Sequence, residues 1–209
     1  MKDGESYQDA VKRHFDKLDK LQSKGTVKTC SSVEEGDAFI HALKSAKASC
    51  PTESYWRVDT DSHNAKDYVG KKTYISEGGS TFSVTKDGDI ISVCKKSTDK
   101  NIRGSELLEM AIKVGGKKLD SFDGNFEFYL KNGFEPISWT AFDFKYKPKG
   151  WDYNIHQRES VVFFKYNSNA KITGKKPKSF YVDKLKEFYK TVKMSKDYET
   201  AKEVRDAVM

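Results

Sequence analysis

CxxC-spaced cysteines, clustered histidines and long apolar runs are all missing from this chain. Its three cysteines, Cys30, Cys50 and Cys94, are odd in number and show no CxxC spacing, which argues against a disulfide framework. The four histidines are scattered at 14, 41, 63 and 156, with no HExxH or paired-ligand pattern, so a structural zinc site is not expected. The opening stretch MKDGESYQDAVKRHF lacks an apolar signal-like core, and no apolar run reaches membrane-spanning length. These absences lead us to expect a soluble cytoplasmic protein with reduced thiols and no membrane partner.

Aromatic residues and charge are abundant. Thirteen Phe, eleven Tyr and three Trp in 209 residues provide enough large side chains to bury a core, although hydrophobic content is only 36%. Charged residues make up 33%, and the net charge is +7. Residues 168–209 alone carry eleven Lys/Arg against six Asp/Glu. Such a segment is either a solvated surface or a contact for nucleic acid, an acidic partner or a polyanionic ligand.

Periodicity places the elements. Tyr7, Val11, Phe15, Leu18 and Leu21 form one face of an amphipathic helix over 5–22. Ser32 with Glu35 three residues on is a capping-box pattern opening a second helix. YWRVDT alternates like a strand, and HNAKDYVGKKTYIS is a polar connection with room for a short helix. Two β-rich runs, 82–85 and 90–94, flank Asp87-Gly88, a hairpin-turn dipeptide. A helix over 104–115 follows, then a strand in KKLDSF and a short helix in NFEFYLKN closed by Gly133. EPISWTAFDF and ESVVFFKY are two further strands. Beyond a linker-like stretch after 167 come two more helices. The expected fold is α+β (mixed α/β), with helices on a mostly antiparallel sheet. The expected layout is a domain over 1–167, with N-terminal helices at 5–50 and a core at 54–166, plus a basic helical extension at 168–209.

DGDIISV, RGSELLEMAI, GGKKLDSF, YLKNGF and PKGW occur in that order over roughly 78–166. Together they resemble the core of the GNAT superfamily of N-acyltransferases, and within it the divergent GNAT-like proteins of bacteriophages and mobile elements. The resemblance implies a GNAT-like sheet in which the strand at 90–94 splays from that at about 119–122. Acetyl-coenzyme A would lie in the splay, its acyl carbonyl polarised by a backbone N–H from Ile91, Ser92 or Val93. It also implies a pyrophosphate at the helix start, on Gly104 and Ser105 with charge from Lys100 and Arg103. The unpaired N–H groups there carry positive potential, and glycine admits close approach. Gly104 reads equally as a helix N-cap. Asp99 and Ile102 stand where the family pattern has Gln/Arg and Gly, and the acid is expected to repel a diphosphate.

The family places a tyrosine four residues before Gly-Phe, where it protonates the departing coenzyme A thiolate. Tyr129 has that position; it also reads as a core aromatic beside Phe126 and Phe128. Asp123 is the candidate base for an unidentified amine acceptor, while Phe122 replaces the family's asparagine. The implied function is acetyl-coenzyme A-dependent acyl transfer. The alternative is a degenerate GNAT-fold binding protein. The run FDFKYKPKGW reads as an acceptor lip, a nucleobase-stacking surface or a loop over the sheet edge. Cys94 reads as a small core residue, and Gly78-Gly79 as a turn.

Overall fold

The computed structural model describes residues 6–148 and 151–209. Residues 1–5, including the expected helix start at Glu5, and the Lys149-Gly150 pair of PKGW lie outside the described residues. The protein is α+β, with helices and two antiparallel sheets. The chain divides into two compact units, Met1–Gly115 and Gly116–Met209.

The first unit contains α1 (Tyr7–Leu21), β1 (Lys28–Thr29), α2 (Val33–Lys47), α3 (Ala65–Tyr68), β2 (Lys72–Ile75), β3 (Thr81–Val84), β4 (Ile90–Cys94) and α4 (Gly104–Lys113). Its strands lie in the order β1-β2-β3-β4, so β4 is an edge. The β3–β4 hairpin turns where Asp87-Gly88 dictates, with Gly88 at φ 88°. Ser32 caps α2 by accepting the Glu35 N–H at 3.2 Å. The Glu35 carboxylate reaches one residue further back than a capping box requires, to the Ser31 N–H at 2.7 Å, and also meets Lys28 at 2.9 Å. These donors, the Ser31 N–H foremost, hold the Glu35 carboxyl down at about 2. Phe39 and Ala42 of α2 pack with Cys30, Tyr68 and Ile75, and Leu43 and Ala46 pack with Cys94. α4 buries Leu107, Leu108 and Ala111. Both helices contact β3, and all four residues of β3 are buried.

Two local expectations change. YWRVDT is not a strand: Tyr55–Arg57 form a 3-10 turn. Pro51 starts that turn by accepting the Tyr55 N–H at 2.9 Å. The Trp56 indole is buried, donating to the Glu53 carbonyl at 3.0 Å. One buried indole outweighs a weak period-two pattern. Conversely, the polar connection holds β2, placed between β1 and β3 with Thr73, Tyr74 and Ile75 buried.

The second unit contains β5 (Lys118–Phe122), α5 (Phe126–Lys131), β6 (Phe134–Thr140), β7 (Val161–Tyr166), α6 (Lys178–Thr191) and α7 (Tyr198–Asp206). The sheet order is β5-β7-β6. Central β7 buries Val162, Phe163 and Phe164 completely. Successive strand side chains face opposite ways. Phe164 meets Phe126 and Tyr129 of α5, whereas Phe163 meets Tyr198 and Arg205 of α7. The two helices therefore cover opposite faces of this sheet. Composition alone sets a boundary near 167, yet the compact units divide at 115/116. The basic segment turns its lysines outward and its Tyr181, Phe188, Ala201 and Arg205 inward. Ser138 Oγ donates to the Ala201 carbonyl at 2.5 Å, and the Trp139 indole donates to the Val192 carbonyl at 2.9 Å.

A chain ending at Tyr166 would expose the Phe163 face of β7 and leave Ser138 without its acceptor. We expect it to lose the cooperative unfolding transition of the second unit, measured by urea titration with near-UV circular dichroism. A truncated chain as stable as the full one would overturn this account of α6 and α7.

Candidate functional site

β4 carries the main irregularity of the first sheet. Thr81 pairs with Cys94 and Ser83 with Ile91, so Ser92 and Val93 together oppose the single residue Phe82. This is a β-bulge. Ser92 adopts φ 56°, the only positive φ of a non-glycine among the described residues. An L-residue there costs about 1–2 kcal/mol, so neighbouring groups must hold it. Two do. The Ser92 hydroxyl shares a hydrogen bond of 2.7 Å with the Tyr68 phenol, and the Ser92 carbonyl accepts from Thr81 Oγ1 at 3.0 Å. Tyr68 is itself buried, which pushes its phenol up to about 12 despite the Ser92 contact. Ile91 packs on the α2 cluster, while Ser92 and Val93 are half-buried. An edge strand with a bulge presents backbone groups that no ladder uses.

The segment after β4 leads to the start of α4. Asp99 does not project outward as an acid facing a ligand. It is buried, and its carboxylate accepts from Ser76 Oγ, from Ser80 Oγ at 2.8 Å and from the Asn101 N–H at 3.2 Å. Burial by itself would raise this carboxyl, but the serine donors outweigh it and hold it below the usual range. Gly78 makes room: a Cβ there would come within 2.2 Å of Asp99 Cγ. Gly78-Gly79 is thus a turn that seats Asp99, with the Gly79 N–H donating to the Ser76 carbonyl at 2.9 Å.

Arg103 is the extended cap residue and Gly104 the first residue of α4. Glu106 accepts the Arg103 backbone N–H at 2.6 Å and pairs with its guanidinium at 3.0 Å. The backbone donor is the larger cause of the lowered Glu106 carboxyl. Arg103 remains largely exposed, as does Lys100, whose Nζ donates to the Ser97 carbonyl at 2.9 Å. Gly104 and Ser105 are half-buried in the first turn, where helix N–H groups have no partner within the helix. Ile91, Ser92, Val93, Lys100, Arg103, Gly104 and Ser105 all belong to the first unit.

Asp123 and Tyr129 belong to the second unit. The Asp123 carboxylate accepts from the Tyr189 phenol at 2.6 Å and from the Ser160 N–H at 3.2 Å. It ties α6 and the start of β7 to the end of β5. Neighbouring Glu159 is buried and accepts the Gly124 N–H at 3.2 Å. Burial, followed by donation to Asp123, drives the Tyr189 phenol upward. Tyr129 is 7% exposed and packs against Phe128, Phe134 and Phe164. Burial pushes its phenol up to about 12, although a hydrogen bond with Ser121 opposes the shift. Tyr129 thus faces Ser121 and Asp120 of β5, while Asp123 serves a separate hydrogen-bond network.

Sequence reading passed over Tyr68 and Thr81, which hold the bulge, and Tyr189, which engages Asp123. No motif announces them; each acts through a contact more than ten residues away in the chain. Among the described residues no group of His, Cys, Asp and Glu could hold a metal ion. No family model, no curated protein and no solved structure matches the chain.

The bulge can be tested directly. Ser92→Val puts a β-branched residue at positive φ and removes the partner of a buried phenol, so it should lower stability by about 2–3 kcal/mol. Ser92→Gly relieves the backbone while losing the same hydrogen bond, and should stay within about 1 kcal/mol of the parent. Equal losses for the two variants in urea denaturation would show that φ at position 92 carries no strain.

Proposed function

We propose that this chain is a GNAT-type acyltransferase-like protein that binds acetyl-coenzyme A along β4 and the start of α4. The observation that carries this reading is the bulge at Ser92. It lies on an edge strand whose chain leads, ten residues on, into an α-helix opening at Arg103-Gly104. A bulge turns backbone N–H groups out of the ladder, where one can polarise an acyl carbonyl. The first turn of a helix suits a diphosphate, and Arg103 and Lys100 add exposed positive charge. The inward turn of Asp99 and its serine donors lessen the repulsion expected from its sequence position.

Bound acetyl-coenzyme A at about a hundred times its Kd should stabilise the protein by ~2.7 kcal/mol, which is roughly 5–10 °C in melting temperature. Gly104→Glu places a carboxylate where the diphosphate would sit, while an acid in the first turn favours the helix itself. The variant should therefore fold and show no shift. An unchanged melting temperature for the parent at millimolar ligand would remove the coenzyme A reading.

A second reading, a GNAT-fold binding protein without chemistry, is favoured by Tyr129. A free phenol is a weaker acid than a thiol, by about 2 kcal/mol on reference values. With the Tyr129 phenol at about 12, the gap to a coenzyme A thiol widens to about 5 kcal/mol. The raised value also has a stability consequence. A buried neutral phenol stabilises the fold below its unfolded value near 10, and that contribution is lost as pH rises from about 10 to about 12. Under this reading the partner is an acidic host protein or nucleic acid meeting the exposed lysines of α6.

Tyr129→Phe separates the two readings. As a general acid acting on an amine acceptor's reaction, Tyr129 should be worth roughly a hundred- to ten-thousand-fold in turnover with cofactor binding unchanged. As a core aromatic it should leave thiol release from acetyl-coenzyme A at the parent's rate and shift stability by about 1 kcal/mol or less. Release followed across a panel of amines distinguishes them.

A further inference from the structure

We propose that Cys50 and Cys94 are a redox pair that closes to a reversible disulfide, joining the turn after α2 to the end of β4. Their Sγ atoms stand 3.8 Å apart. A disulfide requires about 2.05 Å, so a shortening of roughly 1.8 Å completes the bond. Cys50 lies in the turn beyond α2, where a side-chain rotation with slight backbone adjustment supplies that movement. The two segments are already joined beside the pair, by residues that precede Cys50 and follow Cys94. The Ser97 N–H donates to Ser49 Oγ at 2.8 Å, and Lys96 Nζ donates to Ser45 Oγ at 3.0 Å. Both sulfurs share one apolar cluster with Leu43, Ala46 and Val58. Cys30 sits in a different cluster, its Sγ directed at the Ser32 carbonyl at 3.4 Å.

The two thiols have different chemistry. Cys50 is half-buried and Cys94 is only 2% exposed, so a soluble oxidant reaches Cys50 first. The two sulfurs share a hydrogen bond, and contact with Cys94 lowers the Cys50 thiol, with nearby Lys47 adding to the effect and burial opposing it. Contact with Cys50 and burial keep the Cys94 proton in place. With glutathione disulfide as oxidant, the Cys50 thiolate attacks one sulfur, forms a mixed disulfide and expels a glutathione thiolate. Cys94 then gives its proton to solvent or to that thiolate. Its sulfur attacks the Cys50 sulfur and expels the second glutathione. The two cysteines lose two electrons and two protons, and glutathione disulfide becomes two molecules of glutathione. The new bond would anchor β4 two residues beyond Ser92, whether or not that strand holds an acyl carrier.

The test is native oxidation of the full chain with glutathione disulfide, followed by alkylation and peptide mapping without reductant. We expect a Cys50–Cys94 cross-linked peptide, reversed by dithiothreitol, with Cys30 recovered as the free thiol. Closing the loop between residues 50 and 94 should also raise the melting temperature of the oxidised protein by several degrees. Cys94→Ser should halt at a glutathione adduct on Cys50. Should that variant misfold, Cys50→Ser should leave Cys94 protected and form neither adduct nor cross-link. A Cys50 adduct in the parent that never resolves, a cross-link involving Cys30, or one that forms only in denaturant would overturn the proposal.

Discussion

Ser92 holds a backbone angle that L-residues avoid, and the first unit is arranged so that it stays there. The Tyr68 phenol and the Thr81 hydroxyl grip it from α3 and from β3. Tyr68 is fixed in turn by burial and by its ring contact with Phe39 of α2. A strained residue persists only where its surroundings leave it no alternative. Here the surroundings are the hairpin partner, the short helix and the helix packed on the sheet. Losing any one of these contacts leaves less to offset the strained φ of Ser92. The bulge therefore depends on the whole first core, and the functional reading of β4 depends on the bulge.

The loop between β4 and α4 follows the same logic with charge in place of strain. A carboxylate taken out of water must be given donors. Asp99 receives them from Ser76, Ser80 and the Asn101 N–H, and Gly78 leaves the space for it. The cluster fixes the path into Arg103-Gly104 at the start of α4. In the second unit Asp123 has a comparable task, binding Tyr189 of α6 and the Ser160 N–H. The acid that looks most like a catalytic base in the sequence is thus also a clasp for the C-terminal segment.

That C-terminal segment shows how composition and packing can point different ways. Lysines dominate 168–209, yet the residues that matter for the fold are the few that face inward. β7 is covered on both faces, by α5 over Phe164 and by α7 over Phe163. A strand buried on both sides needs two covers, and the basic segment supplies the second. Arg205 is 1% exposed, placed over the Phe163 ring and paired with Asp206, which also takes Lys118. Most of the net charge lies on the outside of a structural element.

Much of the α+β framework was legible from the order of residues alone. The hairpin at Asp87-Gly88, the capped start at Ser32, the helix end at Gly133 and the strands KKLDSF and ESVVFFKY are local events. Turn chemistry, capping and periodicity act over a few residues, so a short stretch contains its own instructions. YWRVDT and β2 escaped that reading because burial of Trp56 and pairing between two strands overrode weak local patterns. The residues of the candidate sites were named by position, but their roles were set at long range. Whether Tyr129 faces a ligand or a ring cluster depends on Phe134 and Phe164. Whether Asp99 repels an anion depends on two serines about twenty residues earlier. Whether Cys50 has a partner depends on a strand forty-four residues away. Propensity belongs to neighbours in the chain; burial, donor supply and thiol pairing belong to neighbours in space, and only the tertiary structure brings those together.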